Sequence, residues 1–493
     1  MVSQNQIVRL IFGLKIKRLR QKKKLSPQEL SAACGLSNSY LNEIEKGKKY
    51  PKADKIMSLA EALSVPYDEL VSLKLSKKLE PISELLNSHI MKEFPLEMFG
   101  IEPGKLVEMI ANAPVKMSAF ISTIMEIARN YEMRQEHFYL ASLRSYQEMH
   151  ENYFEELEEA ASAFLKEHKI KWSAPFDRKH LYDILEQKYN YTIDKTQLKE
   201  NSNLQLLRSV YLKDKHKLLI NDDLAEFQKG FLLGRELAYN YLDLEERPLT
   251  TPPYKANSFE EVLNNFKASY FGGALLLNKD ELIGDIHALF DAERWSEKKL
   301  LQLLNKYEAS PEMFLHRFTN LLAKFFGIKN LFFLRFSHSE KSKKFTLTKE
   351  LHLSRQHNPH GNELNEHYCR RWLSLDIIYQ LKARMQQKDM QSIAGVQISK
   401  YWGTNNEYLC ISFARPNHRT SDEQVSVTIG FQINENLRKK IKFLADPKIA
   451  TKWVNETCER CPIKDCEERA AKPHIVRDEK QVATIEEALK LLN

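Results

Sequence analysis

Cysteine is scarce, six in 493 residues, and so are glycine and proline, at 15 and 17. Cysteine at that density excludes a disulfide-dense mini-fold and suits a reducing compartment. Glycine at that density excludes a collagen-like repeat. No stretch of about 18 apolar residues occurs, so no membrane-spanning helix is expected. The opening MVSQNQIVRLIFGLKIKRLRQKKK lacks an apolar core followed by a small-residue cleavage site. That predicts no secretory signal and a cytoplasmic protein with no membrane partner. Hydrophobic residues at 43% and charged residues at 28% are ordinary for a folded chain. At roughly 100–200 residues per domain, the length predicts two to four domains.

The net charge of +8 is concentrated at one end. Residues 1–55 hold ten Lys and three Arg against four acidic residues, a local +9, so the remaining 438 residues sum to −1. A compact basic segment on a near-neutral body points to a polyanion partner, most simply nucleic acid. A solvated basic face without a partner is the alternative, and the local pattern decides between them.

Apolar residues at Ile7, Leu10, Ile11, Leu14 and Leu19 recur at helical spacing. Ser26 can cap a second helix, with Pro27 at its first position and Glu29 three residues after the cap. Gly35 supplies a tight turn, Ser37 can cap a third helix over Asn38–Lys46, and Gly47 ends it. A fourth helix is expected over Ala53–Leu63 and a short fifth from Pro66 to about Leu73. Two short helices joined by a Gly-containing turn form a helix-turn-helix candidate. The LRxxK start, the LSxxEL second helix, the G-L-S turn and the I-E-x-G end of helix three make the segment resemble the XRE, phage-repressor-type DNA-binding domain. Pro27 departs from relatives that carry Gln at that position, so any contact made by that Gln is absent. In helix three, Leu41 and Ile44 are expected to face the core. Asn38, Ser39, Tyr40, Asn42 and Glu43 are left for base edges, where Asn pairs with adenine and Glu accepts from cytosine. Gln28 and Ser37 join the candidate DNA-binding set, and Arg18, Arg20, Lys46 and Lys48 are candidate phosphate contacts.

Residues 81–169 read as helix-rich, interrupted by a Pro/Gly-bearing patch at 95–104. Arg134 to Phe164 reads as one very long helix. Its apolar stripe is Phe138, Leu140, Leu143, Tyr146, Met149, Tyr153, Phe154, Leu157, Ala160 and Phe164. The stripe is either internal core or a homodimer seam, since helix-turn-helix proteins usually read two half-sites as symmetric dimers.

Lys171 to about Lys279 reads as mixed α/β, with a strand at KLLIND (217–222) and a helix from Phe227 to Leu242. A zinc peptidase of the HExxH type needs two His at i and i+4 with Glu as base. The frame here is Arg235-Glu236-Leu237-Ala238-Tyr239, with both His replaced. Glu236 is expected to pair with Arg235 or a nearby Lys. NNFKASYFGGALLL resembles the downstream helix of ImmA/IrrE-type metallopeptidases, and that resemblance puts Asn265 at the third, acidic ligand position. The region is therefore expected to keep the fold and to lack catalytic residues and peptidase activity.

Residues 310–445 suggest a further α/β domain. SPEMFLHRFTNLLAKFFGI is an amphipathic helix, and NLFFLRFSH, VQISKYW, YLCISFARP and VSVTIGFQI carry strand composition. The pattern fits a small sheet with helices on one side, of a kind that encloses an effector pocket in GAF- or PAS-like sensor domains. Near the end, Cys458, Cys461 and Cys466 form C-x2-C-x4-C, a spacing that fits one tetrahedral metal ion, zinc before an iron–sulfur cluster. Cys369, Cys410 and His474 are candidates for a fourth ligand. Cys410 lies in an apolar run and reads as core, as does Cys34.

These features together make nearly the whole chain resemble the short-chain fatty acyl (RamB-like) transcriptional regulators. The resemblance implies a regulator of carbon or acyl metabolism with an acyl-CoA or related effector, and it favours Cys369 as the fourth ligand through a C-x-x-W at its place. The expected architecture is multidomain α+β. It comprises an all-α helix-turn-helix domain (1–75), a helical linker and dimerisation region (76–170) and a degenerate ImmA/IrrE-like α/β domain (171–280). A GAF/PAS-like effector-sensing domain (281–450) and a Cys-rich tail (451–493) complete it. The expected function is a dimeric, metabolite-responsive DNA-binding regulator acting on a double-stranded operator. The rivals are a redox or metal sensor acting through the cysteines and a metallopeptidase.

Overall fold

The computed structural model describes residues 4–73, 135–253, 255–353, 366–386, 392–417 and 422–490, with four isolated positions between 119 and 126. The Pro/Gly patch at 95–104 lies outside the described residues. Two compact units divide the chain, residues 1–146 with 255–262 and residues 147–254 with 263–493. Among the described residues no helix is long and apolar enough to cross a membrane.

The first unit opens with α1 (Gln4–Lys22), α2 (Pro27–Ala33), α3 (Asn38–Glu45), α4 (Ala53–Leu63) and α5 (Tyr67–Val71). Local chemistry sets these boundaries. Ser26 and Glu29 form a reciprocal capping box, Ser26 Oγ accepting from Glu29 N at 3.2 Å and Glu29 Oε2 accepting from Ser26 N at 2.6 Å. Gly35 turns the chain at φ +61°, and Ser37 Oγ accepts from Tyr40 N at 3.1 Å to start α3. Phe12, Ile16, Leu30, Cys34, Leu41, Ile44, Ile56, Leu59, Leu63 and Leu70 close one apolar core. At Gly13 a Cβ would stand 2.2 Å from the carbonyl oxygen of Ile44, so α1 and α3 touch backbone to backbone there.

The expected long helix over 134–164 is two helices, α6 (Gln135–Met149) and α7 (Glu155–Glu167). Glu151 and Asn152 both take positive φ between them, which no helix can propagate through. Asn152 is fully buried, with its amide donating to Thr319 Oγ1 at 2.8 Å and its carbonyl accepting from Asn320 at 3.0 Å. Most of the stripe's second half is internal core. Phe154 packs edge-on against Phe266 and Tyr270, and Phe164 against Tyr241 and Phe271. The seam expected for a dimer is therefore already covered by the chain itself from Tyr153 to Phe164, whereas Leu140 and Met149 remain exposed.

Next come α8 (Lys179–Gln187), β1 (Thr192–Asp194), α9 (Gln197–Glu200), β2 (Ser209–Leu212), β3 (Lys217–Ile220), α10 (Glu226–Tyr241), β4 (Thr250–Thr251) and α11 (Phe259–Leu276). The strands form a sheet ordered β1-β3-β2-β4. Leu218, Ile220, Leu233, Leu237, Phe271 and Leu275 fill the core under it.

The remainder comprises α12 (Lys279–Phe290), α13 (Glu297–Lys306), α14 (Pro311–Phe326), β5 (Leu331–Ser339), β6 (Phe345–His352), α15 (Leu373–Met385), β7 (Ile393–Tyr401), β8 (Glu407–Pro416), β9 (Glu423–Gln432), α16 (Glu435–Lys440), β10 (Thr451–Val454) and α17 (His474–Lys490). Six strands pair in the order β10-β7-β8-β9-β5-β6, antiparallel except for β10 on β7. Helices cover both faces, not one as the sequence suggested. Leu282, Leu300, Phe314 and Phe318 pack on one face, and Leu375, Ile377, Ile378 and Leu381 of α15 on the other. The central strands β8 and β9 are accordingly buried on consecutive residues, a pattern that hides which face is covered.

Candidate nucleic-acid interface and peptidase-like site

Most of the expected DNA-reading residues form an open face on α3 and its flanks. Gln28, Ser37, Asn38, Ser39, Asn42 and Lys48 are exposed, and Arg18, Tyr40, Glu43 and Lys46 are half-buried. Leu41 and Ile44 are fully buried, which fixes the rotation of α3 and turns Asn38 and Asn42 outward. Ser37 serves as the α3 cap. Glu43 holds Lys49 at 2.9 Å, and Lys49 also lies 5.7 Å from the Tyr40 ring centroid.

Arg20 requires correction. It is buried, its Nε and Nη2 donate to the two carboxylate oxygens of Glu45 at 2.6 and 2.8 Å, and Nη1 donates to Leu25 O at 2.9 Å. The hydrogen bonds to Glu45 hold its charge in place, so Arg20 ties α1 to the end of α3 instead of meeting a phosphate. Apolar spacing alone cannot show which basic residue of α1 turns inward, and Glu45 carried no signal of its own.

The three positions that the resemblance assigns to zinc ligands converge. Arg235 and Tyr239 lie one turn apart on α10, and Asn265 faces them from α11. The two helices touch at Gly234 and Gly272, where a Cβ on Gly234 would lie 3.1 Å from the Gly272 Cα. Arg235 Nη2 donates to Asn265 Oδ1 at 2.5 Å and to Tyr239 OH at 3.3 Å, and Nη1 donates to Thr251 Oγ1 at 3.2 Å. Tyr239 OH donates to Asn265 Oδ1 at 3.3 Å. Burial raises the Tyr239 phenol above its ordinary range, so it stays a neutral hydroxyl. A permanent guanidinium, a neutral phenol and an amide do not fit Zn2+, which takes thiolate, imidazole or carboxylate donors.

Glu236 pairs with neither Arg235 nor a Lys, contrary to expectation. Its partner is Arg247, whose Nη2 donates to both carboxylate oxygens at 2.6 Å. The Arg247 guanidinium is clamped between Tyr211 and Tyr239, 4.1 and 3.9 Å from their ring centroids. Sequence reading missed Arg247 because it lies in a connecting segment outside the helical frame. The paired glycines were the available sign of the close helix crossing.

The cysteines divide into two groups. Tyr368 bridges Thr457, Cys369 N donates to Glu456 O at 3.1 Å, and Cys458 N donates to His367 O at 2.8 Å. Burial pushes the Cys369 thiol up to about 11, and the neighbouring Cys458 and Cys461 add to that rise. Cys466 lies instead beside Glu468 and Arg371. Cys410 is buried in β8 with its thiol pushed up to about 12 by burial, and Cys34 is core. His474 opens α17. Among the described residues no group of three or more His, Cys, Asp or Glu is arranged to hold a metal ion.

Residues 16–70 match the helix-turn-helix family. A helix-turn-helix transcriptional regulator of Sinorhizobium fredii, y4dJ, is 37% identical over 65 residues, 13% of this chain and 84% of that protein. The chain belongs to the helix-turn-helix transcriptional regulators. The control protein C.BamHI of Bacillus amyloliquefaciens is 32% identical over 65 residues, 13% of this chain and 80% of that protein. The repressor RghR of Bacillus subtilis is 39% identical over 61 residues, 12% of this chain and 45% of its own length. This regulator therefore binds DNA through its basic N-terminal domain. Its residues 195–319 match the IrrE N-terminal-like domain of a peptidase family. A Mycobacterium tuberculosis transcriptional regulator of known structure is 16% identical, covers 66% of this chain and 92% of its own, and superposes with a TM-score of 0.46.

Proposed function

We propose that this regulator is a non-catalytic, effector-responsive, cytoplasmic homodimer of the short-chain fatty acyl (RamB-like) group. In this reading the peptidase-like body and the GAF/PAS-like sheet domain sense an acyl-CoA or related carbon-metabolism effector. The observation that carries the reading is the Arg235–Tyr239–Asn265 triad, which occupies the former ligand positions with mutually hydrogen-bonded side chains. A body that keeps a peptidase fold while filling its reaction centre is suited to sensing. The effector must bind the DNA-competent and DNA-free states with different affinity. Symmetric dimerisation would present two copies of α3 to two half-sites about 34–36 Å apart.

The test is thermal shift of the full chain against acyl-CoA thioesters, free CoA and the matching acids. A ligand at 100 times its dissociation constant should add about 2.7 kcal/mol of stability. A selective response to one thioester class, with a matching change in operator affinity, supports the reading. No response from any thioester overturns it.

A second reading rests on the proximity of Cys369 to Cys458 and Cys461. Those thiols are not arranged to hold a metal ion as they stand, so zinc would have to draw Cys369, Cys458 and Cys461 together and Cys466 away from Glu468 to complete four ligands. A bound zinc ion would tie the 366–369 segment to the tail as a structural clip. Loss of operator binding on chelation or mild oxidation, without any thioester response, favours this reading.

A further inference from the structure

We infer that the cluster of basic side chains around Glu312, at the start of α14 and on the six-stranded sheet, binds a phosphate-bearing small-molecule anion, held by Arg208, Arg335, Arg415 and Lys349. This rests on charge and geometry and not on any acyl group, and it would hold for the diphosphate of a CoA effector as for other phosphate esters.

Four cations share one acid there. Glu312, the second residue of α14, takes Arg335 Nε at 3.1 Å and also receives Lys349. Arg335 pairs in register with Val427, and Arg415 with Val425, on opposite sides of β9. Val425 and Val427 belong to the core beneath α14, so the two arginines rise from that same sheet face. Arg208 arrives from the peptidase-like body, its backbone fixed by Thr251 O and by Asn221 N. Glu312 is the carboxylate that acts on both Arg208 and Arg415, while Arg335 repels each of them. Burial and that repulsion push the Arg415 guanidinium down to about 10. Nε of Arg208 and Nη1 of Arg415 are buried without a hydrogen-bond partner among the described residues.

Half-buried guanidiniums that must share a single carboxylate are costly, and planar forks of this kind match phosphate oxygens. The missing partner is an anion carrying at least two negative charges. Duplex DNA is too wide to reach half-buried side chains, so a small molecule is the fitting class. Lys349, with 58% of its side chain exposed, is the one of the four that lies open to solvent.

The experiment is calorimetric titration of the full chain with inorganic diphosphate at constant ionic strength in phosphate-free buffer. It is paired with melting curves of wild type, Arg415→Gln, Lys349→Gln and Lys48→Ala. The expected result is saturable binding in wild type and in Lys48→Ala. Affinity should fall at least tenfold in Arg415→Gln and several-fold in Lys349→Gln. Ligand-free Arg415→Gln should melt at or above the wild-type temperature, since a half-buried charge repelled by Arg335 and Arg208 has left. Absence of saturable binding overturns the inference. So does binding that survives both Arg415→Gln and Lys349→Gln, or that disappears in Lys48→Ala, which would place it on the DNA-binding domain. Should Arg415→Gln fail to fold, Lys349→Gln decides alone. Coenzyme A itself carries a diphosphate, so the free-CoA arm of the thermal-shift panel separates the readings: a response to diphosphate and free CoA with no thioester selectivity supports this site and not the acyl effector, and thioester selectivity without diphosphate binding does the reverse.

Discussion

Arg235 donates a hydrogen bond to Asn265 at 2.5 Å across the helix crossing that Gly234 and Gly272 permit. The three positions that the metallopeptidase resemblance assigns to zinc ligands thus converge, and none of them carries a usual zinc donor. Geometry and chemistry have separated, and the separation can be tested by restoring the chemistry.

The triple variant Arg235→His, Tyr239→His, Asn265→Glu rebuilds two imidazoles and a carboxylate on the retained frame. It should load about one zinc per chain at these positions, measured by elemental analysis with Cys369, Cys458 and Cys461 replaced in parallel. Zinc loading of the otherwise wild-type triad in that same cysteine-free background would contradict the structural account.

Arg20 and Glu45 form a buried ion pair with side chains under a tenth exposed. Arg20→Ala leaves Glu45 buried and unpaired, so the DNA-binding domain should lose about 3–5 kcal/mol of stability. Urea unfolding followed by far-UV dichroism measures this. A variant that keeps its stability and loses only DNA affinity would restore Arg20 to the phosphate contacts.

Asn42 and Lys48 are exposed on and beside α3. Asn42→Ala should reduce discrimination between operator and mismatched DNA by about 1–3 kcal/mol at one base position. Lys48→Ala should weaken binding to all sequences alike and lower the salt-dependence slope by about 1. Binding isotherms over a salt series separate the two effects.

His316 lies on α14, and burial, with Lys349 and Arg317 assisting against Glu312, pushes its imidazole down to about 4. The unfolded chain takes up this proton near pH 6.5 and the folded chain only near 4. The stabilising contribution is therefore complete above about pH 6.5 and is lost as pH falls towards 4. His316→Gln should flatten the stability–pH curve in that window, read by chemical denaturation at several pH values. Equal slopes for variant and wild type would falsify the assignment.

How much the sequence revealed depended on the range of the contacts involved. Ser26, Glu29, Gly35, Ser37 and Gly47 act within a few residues, and the α2–α3 unit could be drawn from them almost to the residue. The break at Glu151 and Asn152 could not. Nothing in those two residue types demands positive φ. The conformation is held by Thr319 and Asn320, some 167 residues away. The peptidase-like triad was legible by position, because a helical frame places i and i+4 together, but the pairing of Glu236 with Arg247 was not.

By itself the sequence determined a basic helix-turn-helix domain, since capping, turn and apolar periodicity there are local and mutually consistent. It also determined that the peptidase-like frame lacks histidines. Only the tertiary structure decided which charges are free and which are spent. Arg20 faces inward to Glu45, Arg247 is clamped by Tyr211 and Tyr239, and Arg208, Arg335 and Arg415 gather around Glu312. Charge is a property of a residue, whereas its compensation depends on neighbours that only folding supplies, and those neighbours come from segments far apart in the chain.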